Sequence, residues 1–171
     1  NPIPVGVPTE DGRLLNLITK EVSSFSGTLG SEVTVEQADD ALWAEWSHLQ
    51  EAMLMGLADL DDEIAMLVLE DEVPAEEMIW NSLKALTLTG AIQPCFGGSA
   101  LKNHGVQPLL DAVLRILPCP LDCPASTAET SKGSTEKIEM VDDGPLAALA
   151  FKVQLWDGRR HVFARIYRGT L

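Results

Sequence analysis

The segment from Cys95 to Pro118 constrains the fold of this chain more than any other. It reads CFGGSALKNHGVQPLLDAVLRILP, and its first two residues end a short apolar run, Ala91–Phe96. Two glycines and the polar loop Ser99–Asn103 come next, and then apolar residues recur every three or four positions, as in an amphipathic helix: Val106, Leu109, Leu110, Val113 and Leu117. Loops at the carboxyl ends of strands form the ligand sites of doubly wound α/β sheets. The order strand, loop, helix therefore predicts an α/β fold with a candidate binding loop.

The middle of the chain predicts a long helix. Thr34 and Gln37 have the spacing of a capping box, in which two side chains satisfy the first free N–H groups of a helix. A single apolar stripe follows at spacings of three and four: Leu42, Trp46, Leu49, Met53, Leu57, Leu60, Ile64, Leu67 and Val68. About thirty residues at about 1.5 Å each predict a rod near 45 Å long. Gly56 is the position at which we expect any bend.

The segments on either side of this helix are shorter. Gly12–Val22 predicts a short strand region, and the Ser/Gly-rich run Ser23–Ser31 predicts a turn or surface loop. Pro74 suits the first turn of a second helix, which we expect to continue to about Thr89 and to stop at Gly90.

The C-terminal third of the chain predicts a linker and a hairpin. Pro118–Gly144 is rich in proline, serine and threonine, which is typical of a linker. Leu146–Leu155 then alternates, with a second strand at His161–Tyr167 after the turn Trp156–Arg159. A two-stranded hairpin is marginal in isolation, so we expect these strands to need partners from outside the chain.

The formal net charge of −14 is unevenly distributed. Between Glu32 and Glu77 the chain has fifteen acidic residues and no lysine or arginine. Lys152–Leu171 is basic by contrast, since it has five cationic residues and a single acidic one, Asp157. Phosphate binding needs clustered cations, so the middle of the chain is excluded as a nucleic-acid site and instead suits a basic protein partner. RNA contact is expected only near the C-terminal end.

Several classes of function find no support in the sequence. No apolar run approaches the ~20 residues that span a bilayer, so we predict a soluble protein without a membrane partner. The cysteine pair Cys119 and Cys123 has no histidine at ligand spacing, so we predict no metal site. His48, His104 and His161 have no serine or cysteine partner that the sequence places near them, so we predict no catalytic residue.

Three segments carry a resemblance to a known family. GGSALKNHGVQPLLDAV resembles the fifth guanine-nucleotide motif of the elongation factor G branch of translational GTPases. PLAALAFKV and FARIYRGTL, near the C-terminal end, resemble the opening hairpin of domain II in that family. NPIPVG, at the start, resembles the internal segment that follows the fourth guanine motif. Ala58–Glu72, ADLDDEIAMLVLEDE, is similar to the mitochondrial ribosome-releasing paralogue, and less so to bacterial factors.

This resemblance implies an architecture and a base-binding site. Residues 1–124 would form the end of a P-loop-type GTPase domain with a helical or α+β insertion subdomain. Residues 125–144 would be a linker, and residues 145–171 would supply the first strands of the β-barrel domain II. By position in the motif, Ser99, Ala100 and Leu101 would contact the guanine base, backbone N–H groups of the Ser-Ala segment reading O6. Gly98 would make room for the base.

The resemblance also implies a function for the parent protein. It would be a ribosome-dependent GTPase that uses GTP and GDP with Mg²⁺, either in elongation translocation or in subunit splitting with the ribosome recycling factor. The alternative is a degenerate, non-hydrolysing relative that binds ribosomes or assists their assembly. The segment itself lacks the phosphate loop, the Mg²⁺ ligands and the Asn-Lys-x-Asp string, so we expect it to hold no cofactor and to be inactive alone. The similarity of Ala58–Glu72 predicts the mitochondrial matrix, with the bacterial cytoplasm as the alternative.

The ribosome is the partner that the resemblance implies. In the family, the acidic helix of the insertion subdomain meets the basic C-terminal domain of the large-subunit stalk protein. The candidate contacts on this chain are Glu45, Glu51, Asp59, Asp62 and Glu63. The alternative interpretation is an acidic face that serves only solubility. Domain II would contact ribosomal RNA.

Overall fold

The structure is a computed structural model that describes residues 1–130 and 132–171. The chain divides into two compact units, Asn1–Leu117 and Pro118–Leu171. The first unit combines a β-sheet with four α-helices, which confirms the predicted α/β class.

The first unit is built on a five-stranded sheet in the order β4-β3-β2-β1-β5. Its strands are β1 Pro2–Pro8, β2 Leu14–Asn16, β3 Glu21–Ser26, β4 Glu32–Gln37 and β5 Gln93–Phe96. Strands β1 to β4 pair antiparallel in chain order, whereas β5 returns after the helices and pairs parallel with β1. The candidate binding loop therefore begins at the end of the strand that adjoins β1.

The predicted strand region at Gly12–Val22 contains β2 and the start of β3, which confirms it. Strand β3 continues to Ser26, so the first part of Ser23–Ser31, predicted as a loop, is strand. Strand β4 pairs with β3 along its whole length, from Glu21 opposite Gln37 to Ser26 opposite Glu32. Thr34 is therefore a strand residue, and the predicted capping box is wrong. Val33, Thr34 and Val35 are β-branched and favour a strand, and the pairing with β3 outweighs a local capping signal.

The predicted single rod is two helices, α1 Asp40–Ala58 and α2 Asp62–Leu69. The Asp61 carboxylate accepts hydrogen bonds from the N–H groups of Glu63 and Ile64, at 3.1 and 3.3 Å, and so begins a new helix. Gly56 lies within α1 and is not the break. A Cβ there would lie 2.7 Å from Ile3 Cδ1, so Gly56 allows the helix to approach β1 closely.

Two further helices complete the unit, α3 Glu76–Leu88 and α4 Val106–Ile116. Helix α3 stops shortly before Gly90, which has a φ of +74°, as predicted. At its other end Pro74 precedes the N-cap Ala75 and so lies outside the first turn, where it was predicted. The core lies between one face of the sheet and the helices. Its fully buried apolar side chains are Val5, Leu15, Leu17, Met53, Leu57, Ile64, Ile79, Leu83 and Ile92. Gln50 is buried beside them, and its side-chain amide donates to the Leu17 carbonyl at 2.8 Å.

The second unit contains two antiparallel hairpins. Strands β6 Ser126–Glu129 and β7 Thr135–Ile138 form the first, and β8 Ala147–Trp156 and β9 Arg159–Arg168 form the second, which confirms the predicted hairpin. The region 125–144 was predicted as a linker, but it contains the β6–β7 pair; residue 131 lies outside the described residues. Thr127 and Thr135 are β-branched and favour extended backbone, so a strand pair forms even in a segment of linker-like composition. The predicted domain limits remain a prediction.

Candidate functional site

The loop that follows β5 is closed by its own backbone. Ser99 and His104 exchange two hydrogen bonds, from the Ser99 N–H to the His104 carbonyl at 2.9 Å and from the His104 N–H to the Ser99 carbonyl at 3.0 Å. Between them, Ala100–Lys102 forms a 3₁₀ turn. Asn103 completes it with a φ of +56°, a left-handed conformation that asparagine tolerates better than most residues.

Two adjacent backbone donors in this loop are available to a ligand. The Ser99 N–H is engaged by His104. The N–H groups of Ala100 and Leu101, in contrast, have no acceptor within residues 1–130 and 132–171. Backbone N–H groups are strong donors that are normally paired when they are removed from water. The loop thus offers two neighbouring donors that suit a carbonyl oxygen.

The two glycines before the loop are needed for its closure. A Cβ on Gly98 would lie 2.6 Å from the His104 carbonyl oxygen, and a Cβ on Gly97 would lie 2.4 Å from Pro8 Cδ. Larger residues would therefore push the loop away from β1 and from its own far end. A cleft of about 180 Å³ lies beside it and is lined in part by Gly98, Ser99 and Phe25.

The turn between β3 and β4 contacts this loop. The Gly30 carbonyl accepts hydrogen bonds from the side-chain amides of Asn103 and Gln107, at 3.3 and 3.2 Å. The rings of Phe25 and His104 stack with centroids 5.1 Å apart and planes 17° from parallel. Sequence reasoning missed these contacts, since the partners of Gly30 lie 73 and 77 residues away. The only available signal was the glycine pair Gly27 and Gly30 in a short polar turn.

Helix α4 has the predicted extent but a different buried face. Ala112 and Ile116 are its buried side chains. Four side chains of the predicted stripe are between 37% and 57% exposed: Leu109, Leu110, Val113 and Leu117. Contacts with α3 select the buried face, and the Arg115 guanidinium lies 5.1 Å from the Trp80 ring on the same side. Hydrophobicity alone does not reveal which side of a helix meets its neighbour.

The five acidic candidates are all exposed, but they do not share one surface. Asp59 is the C-cap of α1, and Asp62 and Glu63 form the first turn of α2, so these three lie together at the joint between the helices. Glu45 and Glu51 lie further back on α1. Glu51 follows Glu45 by six residues, so at 100° per residue their side chains point about 120° apart around the helix. Glu45 is about 21 Å along the axis from Asp59.

The clefts beside these acidic residues are lined by different parts of the chain. Glu63 lines a groove with Asp61 of the joint and Asn81 of α3. Glu45 lines a separate cleft with Asp39 and residues of the β1–β2 turn. The α1–α2 joint brings three of the five candidates together, whereas the cleft at Glu45 is also lined by Glu10 and Asp11 of the β1–β2 turn.

Two features are absent from the described residues. Within residues 1–130 and 132–171, no helix combines the length and apolar character that crossing a membrane requires. The same residues contain no group of three or more histidine, cysteine, aspartate or glutamate side chains that would hold a metal ion.

Comparison with known proteins identifies the chain's relatives. No protein-family model matches it. Over 99% of its length it is 37% identical to elongation factor G 2 of Geobacter metallireducens and 33% identical to elongation factor G of Fervidobacterium nodosum. It is also 35% identical to elongation factor G 1 of Borreliella afzelii over 99% of its length. The chain is homologous to elongation factor G. This similarity confirms the resemblance to the elongation factor G family that the sequence predicts.

The homology concerns a part of each relative. The chain spans about a quarter of their length, 25%, 25% and 24%. A solved structure from Thermus thermophilus matches with a TM-score of 0.69 and 20% identity, over 98% of this chain and 23% of that one. That likeness supports the fold. The elongation factor G homology extends over both compact units of this chain.

Proposed function

We propose that this chain is part of a ribosome-dependent GTPase that acts in translation. It supplies the end of the GTP-binding domain, an insertion subdomain and the start of domain II, and the whole protein uses GTP and GDP with Mg²⁺. The observation that carries this proposal is the identity of 33–37% to elongation factor G across 99% of the chain. The unpaired N–H groups of the loop after β5 agree with it.

The loop after β5 binds the guanine base in this proposal. The O6 carbonyl accepts hydrogen bonds from the free N–H groups of Ala100 and Leu101. Ser99 contributes by holding the loop closed with His104, and Gly98 gives the chain room to do so. Adenine carries an amino group in place of O6. Its N–H groups would face those of Ala100 and Leu101 and leave these donors without an acceptor, which disfavours adenine.

Hydrolysis belongs to parts of the protein outside this chain. Phosphoryl transfer depends on a phosphate cradle, metal ligands and a group that positions water. The sequence of 171 residues has no string that supplies them. We therefore predict that the chain by itself is inactive and contributes base selectivity and partner contacts.

The acidic joint between α1 and α2 is the proposed contact for the basic domain of the large-subunit stalk protein. Asp59, Asp62 and Glu63 form its centre, and Glu45 and Glu51 extend it along α1. Reversing two charges, Asp62→Lys with Glu63→Lys, should weaken stalk-protein binding about tenfold at low salt, and the loss should shrink as salt screens the charges. The matched control is Glu76→Lys with Glu77→Lys in α3. Equal binding by both double variants would contradict this contact.

The step of translation that the protein serves is a finer part of the proposal. The named relatives are bacterial and are called elongation factors, which favours translocation in a bacterial cytoplasm. The similarity of Ala58–Glu72 to the ribosome-releasing paralogue supports the alternative, subunit splitting with the recycling factor in the mitochondrial matrix.

The cationic side chains of β9 suit contact with ribosomal RNA. One of them, Arg168, is paired with Glu136 at 3.0 Å.

Hydrolysis of GTP by the full-length protein, measured with and without ribosomes, tests the proposal. We expect ribosomes to stimulate the rate. Ribosome binding without any hydrolysis would instead establish the second candidate, a degenerate interaction protein. His104 allows that candidate without requiring it, since the resembling family usually has lysine or glutamate there.

A further inference from the structure

The tip of the β3–β4 hairpin lies against the loop that follows β5. Its 3₁₀ turn, Thr28–Gly30, brings the buried Gly30 to the loop backbone. We propose that this hairpin is a positioning element for guanine recognition, acting through the Gly30 carbonyl and the Phe25 ring. The inference rests on the proposed function of the loop and assigns a role to residues that lie outside the loop.

The Gly30 carbonyl holds the loop from outside. It accepts the side-chain amide of Asn103, in the loop itself, and that of Gln107, in the first turn of α4. One oxygen thus joins the end of the loop to the helix that follows. Asn103 also donates its own N–H to the Ala100 carbonyl at 3.1 Å. A displacement of Asn103 is therefore passed directly to Ala100, whose N–H is a proposed base contact.

The hairpin fits the loop too closely for a side chain at residue 30. Gly30 has a φ of +63°, and a Cβ there would lie 2.8 Å from the Lys102 carbonyl oxygen and 3.1 Å from that of Asn103. Both neighbours are backbone atoms, which cannot yield by rotating a side chain. The loop would have to move as a whole.

A second contact acts on the residue that follows Asn103. The Phe25 ring stacks on the ring of His104. His104 is the backbone partner of Ser99, so the stack connects the pair that closes the loop to strand β3. Both contacts hold the C-terminal end of the loop directly, and the Ser99–His104 pair links that end to its first residue.

Substitution of Gly30 tests this role in the full-length protein. Gly30→Ala is compared with Gly90→Ala, since Gly90 has a similar φ of +74° but no atom within 4 Å of its added Cβ. The readouts are the Kd for GDP and for the diphosphate of 2,6-diaminopurine riboside, which has an amino group in place of O6. We expect Gly30→Ala to weaken GDP binding about tenfold, the worth of roughly one hydrogen bond, and to leave the analogue unchanged. Gly90→Ala should change neither Kd.

If Gly30→Ala folds poorly, two milder variants test the same role. Asn103→Gly keeps the left-handed conformation and removes only the amide, and Gln107→Met keeps the length of the side chain. Each should weaken GDP binding about threefold, and together about tenfold, with the analogue again unaffected. A purely structural role would lower both affinities in parallel.

The outcomes separate this inference from the proposed function. If the wild-type protein prefers GDP to the analogue and all these variants keep that preference, the positioning role is wrong and the base-binding loop stands. If the wild-type protein does not prefer GDP, the base-binding function of the loop fails and the inference fails with it.

Discussion

Strands of the two compact units have similar alternating apolar patterns, but their apolar side chains are buried in one unit and exposed in the other. In β1, Ile3 and Val5 are buried, and every buried apolar side chain that the structure describes lies in the first unit. In β8, the alternating residues Leu149, Phe151, Val153 and Leu155 are between 54% and 73% exposed. Helices pack against the first sheet, α1 on β1 and α3 on β5, whereas the described residues of the second unit form two separate hairpins without an α-helix. Alternation thus predicts which side chains share a face, and burial depends on a second layer.

The largest effect that we predict contrasts one leucine from each unit. Leu57→Ala removes a fully buried side chain of α1 and should lower the free energy of unfolding by about 2–5 kcal/mol. Leu155→Ala, at a side chain that is 73% exposed, should change it by less than about 0.5 kcal/mol. Urea unfolding measures both. A large cost for Leu155→Ala would mean that the hairpin face is covered in solution, and the contrast would disappear.

A smaller effect concerns the close contact of α1 with the sheet. Gly56→Leu adds a side chain where even a Cβ meets Ile3 at 2.7 Å, so overpacking should cost about 1–3 kcal/mol. The neighbouring change Met55→Leu, at an exposed position of the same helix, should be close to neutral. Thermal unfolding of both variants decides. Equal melting temperatures would show that α1 does not approach β1 as described.

The start of α2 gives the next prediction. Asp61→Ala removes the acceptor for two N–H groups and should cost about 1 kcal/mol, while Asp61→Asn keeps an acceptor and should cost little. Both variants remove one negative charge, so a difference between them in urea unfolding reports the cap rather than the charge. Identical losses would argue for the continuous helix that the sequence predicted.

The smallest effect lies in the turn between β1 and β2. The Thr9 hydroxyl donates to the Asp11 carboxylate at 2.6 Å, and this hydrogen bond, aided by Arg13 and opposed by partial desolvation, lowers the pKa of Asp11 below its ordinary value of 3.8. A lowered pKa stabilises the fold above pH ~4, and this contribution is lost as the pH falls through the folded-state pKa. Thr9→Val should raise the Asp11 pKa towards 3.8 in an NMR titration. An unchanged pKa would assign the shift to Arg13.

Local signals in the sequence predicted several elements well. The C-terminal limit of α3 follows from Gly90, and the β8–β9 hairpin follows from alternation and the turn at Asp157 and Gly158. Both depend on residues that are neighbours in the chain, where turn and capping chemistry acts. The candidate loop was likewise evident as a polar, glycine-flanked segment between a strand and a helix.

Features that depend on tertiary contacts were missed. The apolar spacing of three and four runs on from Leu57 to Ile64, so periodicity cannot reveal the break that Asp61 caps. The pairing of β4 with β3 makes Thr34 a strand residue rather than a helix cap. The contacts of Gly30 with Asn103 join residues 73 positions apart, and one sequence carries no record of such a pair.

The central claim is that the loop after β5 recognises guanine through its free backbone donors, and Ala100→Pro tests it most directly. Ser99 has a φ of −126° and a ψ of 97°, which suits a residue before proline, and the Ala100 N–H has no acceptor in the described part of the chain. Proline there removes a proposed donor without removing a bond of the fold. Asp40→Pro, at the first residue of α1 after an extended residue, is the control.

The measurement is the Kd of the full-length protein for GDP and for the diphosphate of 2,6-diaminopurine riboside. We predict that Ala100→Pro weakens GDP binding about tenfold or more and leaves the analogue unchanged, while Asp40→Pro binds both as the wild type does. If Ala100→Pro binds GDP as tightly as the wild-type protein, the loop does not read the base through this donor, and the central claim is contradicted.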